Sequence, residues 1–90
     1  MKAAFVAHGR VQGVGFRWFV REQALELGLG GWVRNEWDGS VVGEVQGELG
    51  ALDLFRERPA AGNTFGRVSR LDWTPSFEAQ SLPLPFEVRH

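Results

Sequence analysis

Apolar and polar positions alternate with a period of two at the start of the chain. Phe5, Ala7 and Gly9 fall opposite Ala4, Val6 and His8, which predicts a half-buried strand over residues 3–10. From Phe16 the period lengthens: Phe16, Phe19, Val20, Ala24 and Leu27 share one face of a 3.6-residue helix, and Gly28 and Gly30 stop it. Residues 31–37 and 40–46 are rich in β-branched and aromatic side chains and flank Asp38-Gly39, predicting a hairpin closed by a two-residue type I′ turn. Leu49, Leu52 and Phe55 outline a second helix. Pro59 ends it, because proline pushes the residue before it out of helical conformation. A loop is expected over 59–66 and a strand over 68–74. After the proline-bearing stretch 75–85, alternation of Leu84, Phe86 and Val88 marks a short final strand.

The resulting order, βαββαβ, packs most simply as an antiparallel sheet with both helices on one face. That is the ferredoxin-like α+β sandwich. No internal repeat, linker or low-complexity tract interrupts it, so residues 1–90 are read as a single domain. A chain of this length buries only about 60–65% of its unfolded surface and builds one core. Its 43% hydrophobic and 23% charged residues are ordinary for a soluble protein, and no apolar run approaches the ~20 residues that span a bilayer. The apolar N-terminal stretch is too short for a signal peptide and runs straight into a glycine-rich segment. The charge is −1, from ten basic and eleven acidic residues, so no global field favours nucleic acid and any anion site must be local. Zero cysteines exclude disulfides, thiolate metal sites and a cysteine nucleophile. Cytoplasmic location and a monomer are the expectations.

Candidate chemistry concentrates in residues 9–17, Gly-Arg-Val-Gln-Gly-Val-Gly-Phe-Arg, at the junction of the first strand and the first helix. Glycines there permit positive φ, so consecutive N–H groups can converge on one oxyanion at the positive end of a helix dipole. Arg17 adds a permanently charged planar fork that grips two phosphate oxygens, where lysine would offer a point charge. A second segment, Gly31 to Gly47, carries a polar Asn35 inside a strand-like run.

Together these segments closely resemble acylphosphatase. The first matches the family pattern at Gly9, Val11, Gln12, Gly13, Val14, Phe16 and Arg17; the second matches at Gly31, Trp32, Asn35, Asp38, Gly39, Val41 and Gly47. Likeness continues more thinly through Leu52, Phe55, Val68, Trp73 and Phe86, and so covers the whole chain. The resemblance implies hydrolysis of the carboxyl–phosphate mixed anhydride of an acyl phosphate, with water and this small molecule as the only partners. Arg17 and the backbone amides of Gln12, Gly13, Val14, Gly15, Phe16 and Arg17 would bind the phosphoryl group, and Asn35 would position the attacking water. No histidine or carboxylate pair accompanies the loop. A carboxylate leaving group, with a conjugate-acid pKa of about 4, departs without a general acid, so specificity for acyl phosphates over phosphate monoesters is expected.

Other readings are weaker. The loop lacks the third glycine and downstream acid of a dinucleotide fingerprint, and there is no Gly-Lys-Ser/Thr of a P-loop. No spacing of His, Asp or Glu suggests a metal site, so neither metal nor other cofactor is expected. Acylphosphatase-like domains also occur within larger carbamoyl-transfer proteins, but the length of this chain matches the domain alone. The same element order builds RNA-binding domains, for which Trp32, Arg34 and Trp37 would serve, yet the 40–46 strand lacks aromatics and the charge balance is wrong. His8, Arg10 and Arg34 are read as face residues or ion-pair partners, and Asp38-Gly39 as turn. Trp18, Trp32, Trp37 and Trp73 are expected in the core or covering the hairpin. The segment ending in Phe65-Gly66 departs from the family pattern.

Overall fold

A computed structural model of the chain describes residues 1–13, 15–58 and 66–90. Its elements are β1 (Lys2–Arg10), α1 (Phe16–Glu26), β2 (Gly30–Asn35), β3 (Val41–Gln46), α2 (Leu49–Glu57), β4 (Arg67–Ser76) and β5 (Glu87–Val88). They form a five-stranded sheet in the order β4-β1-β3-β2-β5. The first four strands pair antiparallel, and β5 joins β2 in parallel through Trp32↔Glu87 and Val33↔Val88. The sheet is therefore mixed, within the ferredoxin-like α+β arrangement.

The alternation along β1 has a direct physical outcome. Ala3, Phe5 and Ala7 are buried with Val33 of β2 and Val41 and Val45 of β3, while Phe16, Val20 and Ala24 of α1 and Leu52 and Phe55 of α2 close the layer from the helix side. Phe5 meets Phe55 edge-on at 5.6 Å between ring centroids, and Phe86 reaches Phe55 at 6.3 Å. Such ring pairs add modestly to the free energy of area burial. Phe19 and Leu27 flank this core partly buried, as the helical stripe requires. Leu49, at the first residue of α2, does not; it is exposed.

Several boundaries differ from expectation for identifiable reasons. β4 runs one residue past Pro75, which it tolerates because β4 is an edge strand with a free N–H side. β2 stops at Asn35, so that residue is the last of its strand and not an interior one. The type I′ turn at Asp38-Gly39 is not formed. It would need positive φ at both central residues, and no described non-glycine residue has one; only Gly39, at 91°, does. Instead the hairpin carries a longer loop in which Gly39 N–H donates to Glu36 C=O (3.3 Å) and Glu36 N–H to Ser40 C=O (2.9 Å). The Asp38 carboxylate accepts from the Ser40 hydroxyl and from its backbone N–H, an Asx-type closure that makes a second positive φ unnecessary. Gly9 and Arg10, by contrast, close the strand as the 3–10 reading expects. At Gly9 (φ 126°) the β1–β4 register slips, and a Cβ would lie 2.2 Å from the Arg67 carbonyl oxygen, so this glycine serves strand contact. The expected 59–66 loop, Pro59 included, lies outside the described residues but for Gly66, which pairs at the start of β4.

Candidate active site

The turn between β1 and α1 is shaped by two left-handed glycines, Gly13 (φ 71°) and Gly15 (φ 79°). Any larger residue there would meet the steric cost of Cβ in that region, about 1–2 kcal/mol. Val14 lies outside the described residues. Gly15 is the N-cap of α1 and has no side chain to cap with. The first helical hydrogen bond runs from Phe19 N–H to Gly15 C=O (3.0 Å), so the N–H groups of Phe16, Arg17 and Trp18 precede it, at the positive end of the helix dipole. Phe16 and Val11 are buried and anchor the two ends of the turn in the core.

Arg17 extends from the first turn of α1 toward the C-terminal segment. The parallel pairing of β5 with β2, continued by Arg89 N–H donating to Val33 C=O (2.8 Å), holds that segment in place. Arg17 Nη1 donates to the Arg89 carbonyl at 2.7 Å and to His90 Nδ1 at 3.2 Å. Both contacts use Nη1. Among the described residues Nε and Nη2 have no acceptor, which leaves one edge of the fork for an anion.

Asn35 lies across from Arg17 at the end of β2, paired with Val41. Its side chain is exposed and makes no hydrogen bond among the described residues. One cleft of about 200 Å³ contains Arg17, Asn35, Gly13 and Gly15, with Val11, Phe16, Trp18 and Val88 as apolar walls and His90 at its rim. The candidate residues of the two sequence motifs, more than fifteen positions apart, are thus brought to one place.

The Gln12 side chain does something else. Its Nε2 donates to Glu36 C=O at 2.7 Å and to Ser40 C=O at 2.8 Å, tying the glycine turn to the hairpin loop that follows Asn35. With both amide hydrogens committed, only its backbone N–H is left for an anion. The neighbouring Asp38 carboxyl is held below its ordinary value of 3.8, chiefly by the Ser40 hydroxyl and then by the Ser40 N–H.

His8 lies outside the cleft. Its Nε2 is 3.0 Å from Asp72 Oδ2 and 3.1 Å from Arg70 Nη2, on the β1–β4 side of the sheet, and this contact is the main cause that lowers the Asp72 carboxyl below its ordinary 3.8. Arg34 pairs with Glu36 at 2.9 Å and stacks over Trp32 at 5.1 Å, while Arg10 is exposed at the end of β1. The expectation for the tryptophans fails at two positions. Trp73 and Trp32 are half-buried, but Trp37 is fully exposed at the hairpin loop and Trp18 is 58% exposed beside Arg17. Trp18 follows a buried phenylalanine and an arginine in the first turn of α1, where successive side chains point 100° apart and cannot all reach the core. The sequence marks Val88 as part of a final strand, but nothing local announces the two-residue parallel pairing with β2 that brings Val88 and His90 to the cleft.

Comparison with known proteins places these features in context. A model of the acylphosphatase family matches residues 3–83. An acylphosphatase of Geobacillus kaustophilus is 50% identical over 70 residues, covering 78% of this chain and 74% of that one. One from Mannheimia succiniciproducens is 40% identical over 90 residues, covering 100% and 99%. Among solved structures, an acylphosphatase from Bacillus subtilis superposes with a TM-score of 0.85 at 35% identity, covering 99% of this chain and 98% of that one.

Proposed function

The chain belongs to the acylphosphatase family, and we propose that it hydrolyses acyl phosphates to carboxylate and inorganic phosphate in the cleft between Arg17 and Asn35. The observation that carries this reading is the convergence on a single cavity of the left-handed glycine turn, the start of α1, and, among the described residues, one open guanidinium edge and an amide without a hydrogen-bond partner. In it the phosphoryl oxygens lie against the backbone N–H groups of residues 12–17 and against Arg17. As charge shifts on those oxygens, donors already fixed in place stabilise the transition state without reorganising.

The Asn35 amide holds a water in line with the leaving oxygen. That water attacks phosphorus, the bond from phosphorus to the acyl oxygen breaks, the carboxylate leaves with the bonding pair, and the second water proton passes to a phosphate oxygen. Asn35 has no basicity to offer, and none is needed: positioning a weak nucleophile supplies much of the acceleration, and the carboxylate leaves unprotonated. We further propose, on the sequence reading, that the protein is metal-independent, cytoplasmic and monomeric, one domain over 1–90, with an acyl phosphate and water as its partners.

The reading is tested with benzoyl phosphate and a metal chelator in water enriched in ¹⁸O. Turnover is expected, with label in the phosphate and none in the benzoate, and with simple alkyl phosphates far slower. Label in benzoate would place attack at the acyl carbon and refute the mechanism. No turnover by the folded protein would leave a phosphate-binding module.

A further inference from the structure

We infer that Trp18 is a platform for the acyl group, so that this site prefers acyl phosphates whose acyl part is aromatic or otherwise broad and apolar. The inference rests on the phosphoryl-binding reading of the same cleft and adds what that reading leaves open, since Arg17 and the backbone amides recognise phosphate alone. Trp18 is the residue after Arg17. It lines the cleft, and 58% of the residue faces solvent, so a broad apolar surface at the site is open to a ligand.

The ring is also held. Arg21, one helical turn on, places its guanidinium carbon 4.6 Å from the ring centroid, and Arg21 Nη1 is itself fixed by Glu22 Oε1 at 2.8 Å. A restrained ring loses little conformational freedom when a ligand covers it, which favours binding. With the phosphoryl group anchored at Arg17 and the glycine turn, the attached acyl group reaches the remaining cleft wall, where Trp18 and Val88 present apolar surface. An acetyl group is too small to cover the indole, whereas a benzoyl ring can stack on it. The Arg21 charge is already engaged by Trp18 and Glu22, so the platform offers no dedicated partner for an anionic acyl chain.

The test compares kcat/KM for benzoyl phosphate and acetyl phosphate in the parent, Trp18→Ala, Trp18→Phe and Phe77→Ala. Phe77 is a still more exposed aromatic (89%) outside the cleft. Trp18→Ala should lower the benzoyl-to-acetyl ratio by about five- to tenfold, the scale of one aromatic contact. Trp18→Phe should retain most of the ratio and Phe77→Ala all of it. An unchanged ratio in Trp18→Ala overturns the platform. Calorimetry with benzylphosphonate and methylphosphonate separates this proposal from the reaction itself: tighter binding of the benzyl compound by the parent, lost in Trp18→Ala, upholds the platform even where no turnover is seen. Equal binding of the two phosphonates overturns it.

Discussion

Replacing Gln12 by leucine should slow the reaction without weakening phosphate binding. The amide donates to Glu36 and Ser40 at 2.7 and 2.8 Å and is the side-chain tie between the phosphate-binding turn and the loop beyond Asn35. Leucine keeps the volume and removes both donors. Neither carbonyl becomes fully orphaned, because Glu36 C=O still receives Gly39 N–H and Ser40 C=O still receives Glu36 N–H. The loss is therefore two partly buried hydrogen bonds, about 1–2 kcal/mol. For a domain of this size that is about 5–15 °C in Tm. The kinetic effect has a different origin. Arg17 and the helix amides do not depend on the tie, so inhibition by inorganic phosphate should persist, while a displaced Asn35 should lower kcat by about 10- to 100-fold, the scale of a misplacement near 1 Å. Gln12→Glu supplies the control: it is isosteric, but turns an acceptor toward two carbonyls and should do at least as much damage. Steady-state kinetics, phosphate inhibition and thermal melts of the parent and both variants decide the matter. Parental kcat and Tm in Gln12→Leu would refute the reasoning, as would a parental Gln12→Glu, since shape alone would then suffice.

Other expectations follow from the same geometry. Arg17→Lys keeps the charge but not the planar fork, and should lose about 100-fold in kcat/KM, seen in initial rates with benzoyl phosphate. Gly15→Ala forces Cβ into a left-handed residue at the start of α1 and should cost about 1–2 kcal/mol, read from urea melts, with weaker inhibition by phosphate. Asp72 is lowered in the folded protein mainly by His8, so its contribution to stability is present above the ordinary value of 3.8 and disappears as pH falls through the lower folded value. Melts of Asp72→Asn should accordingly fall below the parent at pH 6 and converge with it in strong acid.

Much of this arrangement is legible in the residues, and the parts that are not share a physical cause. The helix from Phe16 and the alternation of Phe5 and Ala7 are strong because burial against a single layer imposes one period on each element. Arg17 stands out because a cation beside a glycine turn has little to do in a core, whereas Asn35, read inside a strand-like run, takes its role only from the resemblance to the family. The dipeptide Asp-Gly suggests a type I′ turn, but Asp38 closes the hairpin loop with its side chain, a local choice that the dipeptide does not distinguish from that turn. Gly9 reads as a strand residue by alternation, and the approach of the Arg67 carbonyl shows why that residue is a glycine. The size of Trp18 suggests the core or a cover for the hairpin, but its neighbours Phe16 and Val20 already fill the buried face of α1. The tail reaches Arg17 through the short parallel pairing of Glu87 and Val88 with β2, a long-range contact with no local pattern to announce it.

The most direct test of the account is the hydrolysis of benzoyl phosphate by Arg17→Ala and Asn35→Ala variants, each shown to be folded, beside the parent and in the presence of a chelator. The account predicts rapid turnover by the parent, nearly abolished in both variants, with inhibition by inorganic phosphate lost in Arg17→Ala and retained in Asn35→Ala. Turnover that survives in Arg17→Ala would contradict it, because the reaction would then take place somewhere other than this cleft.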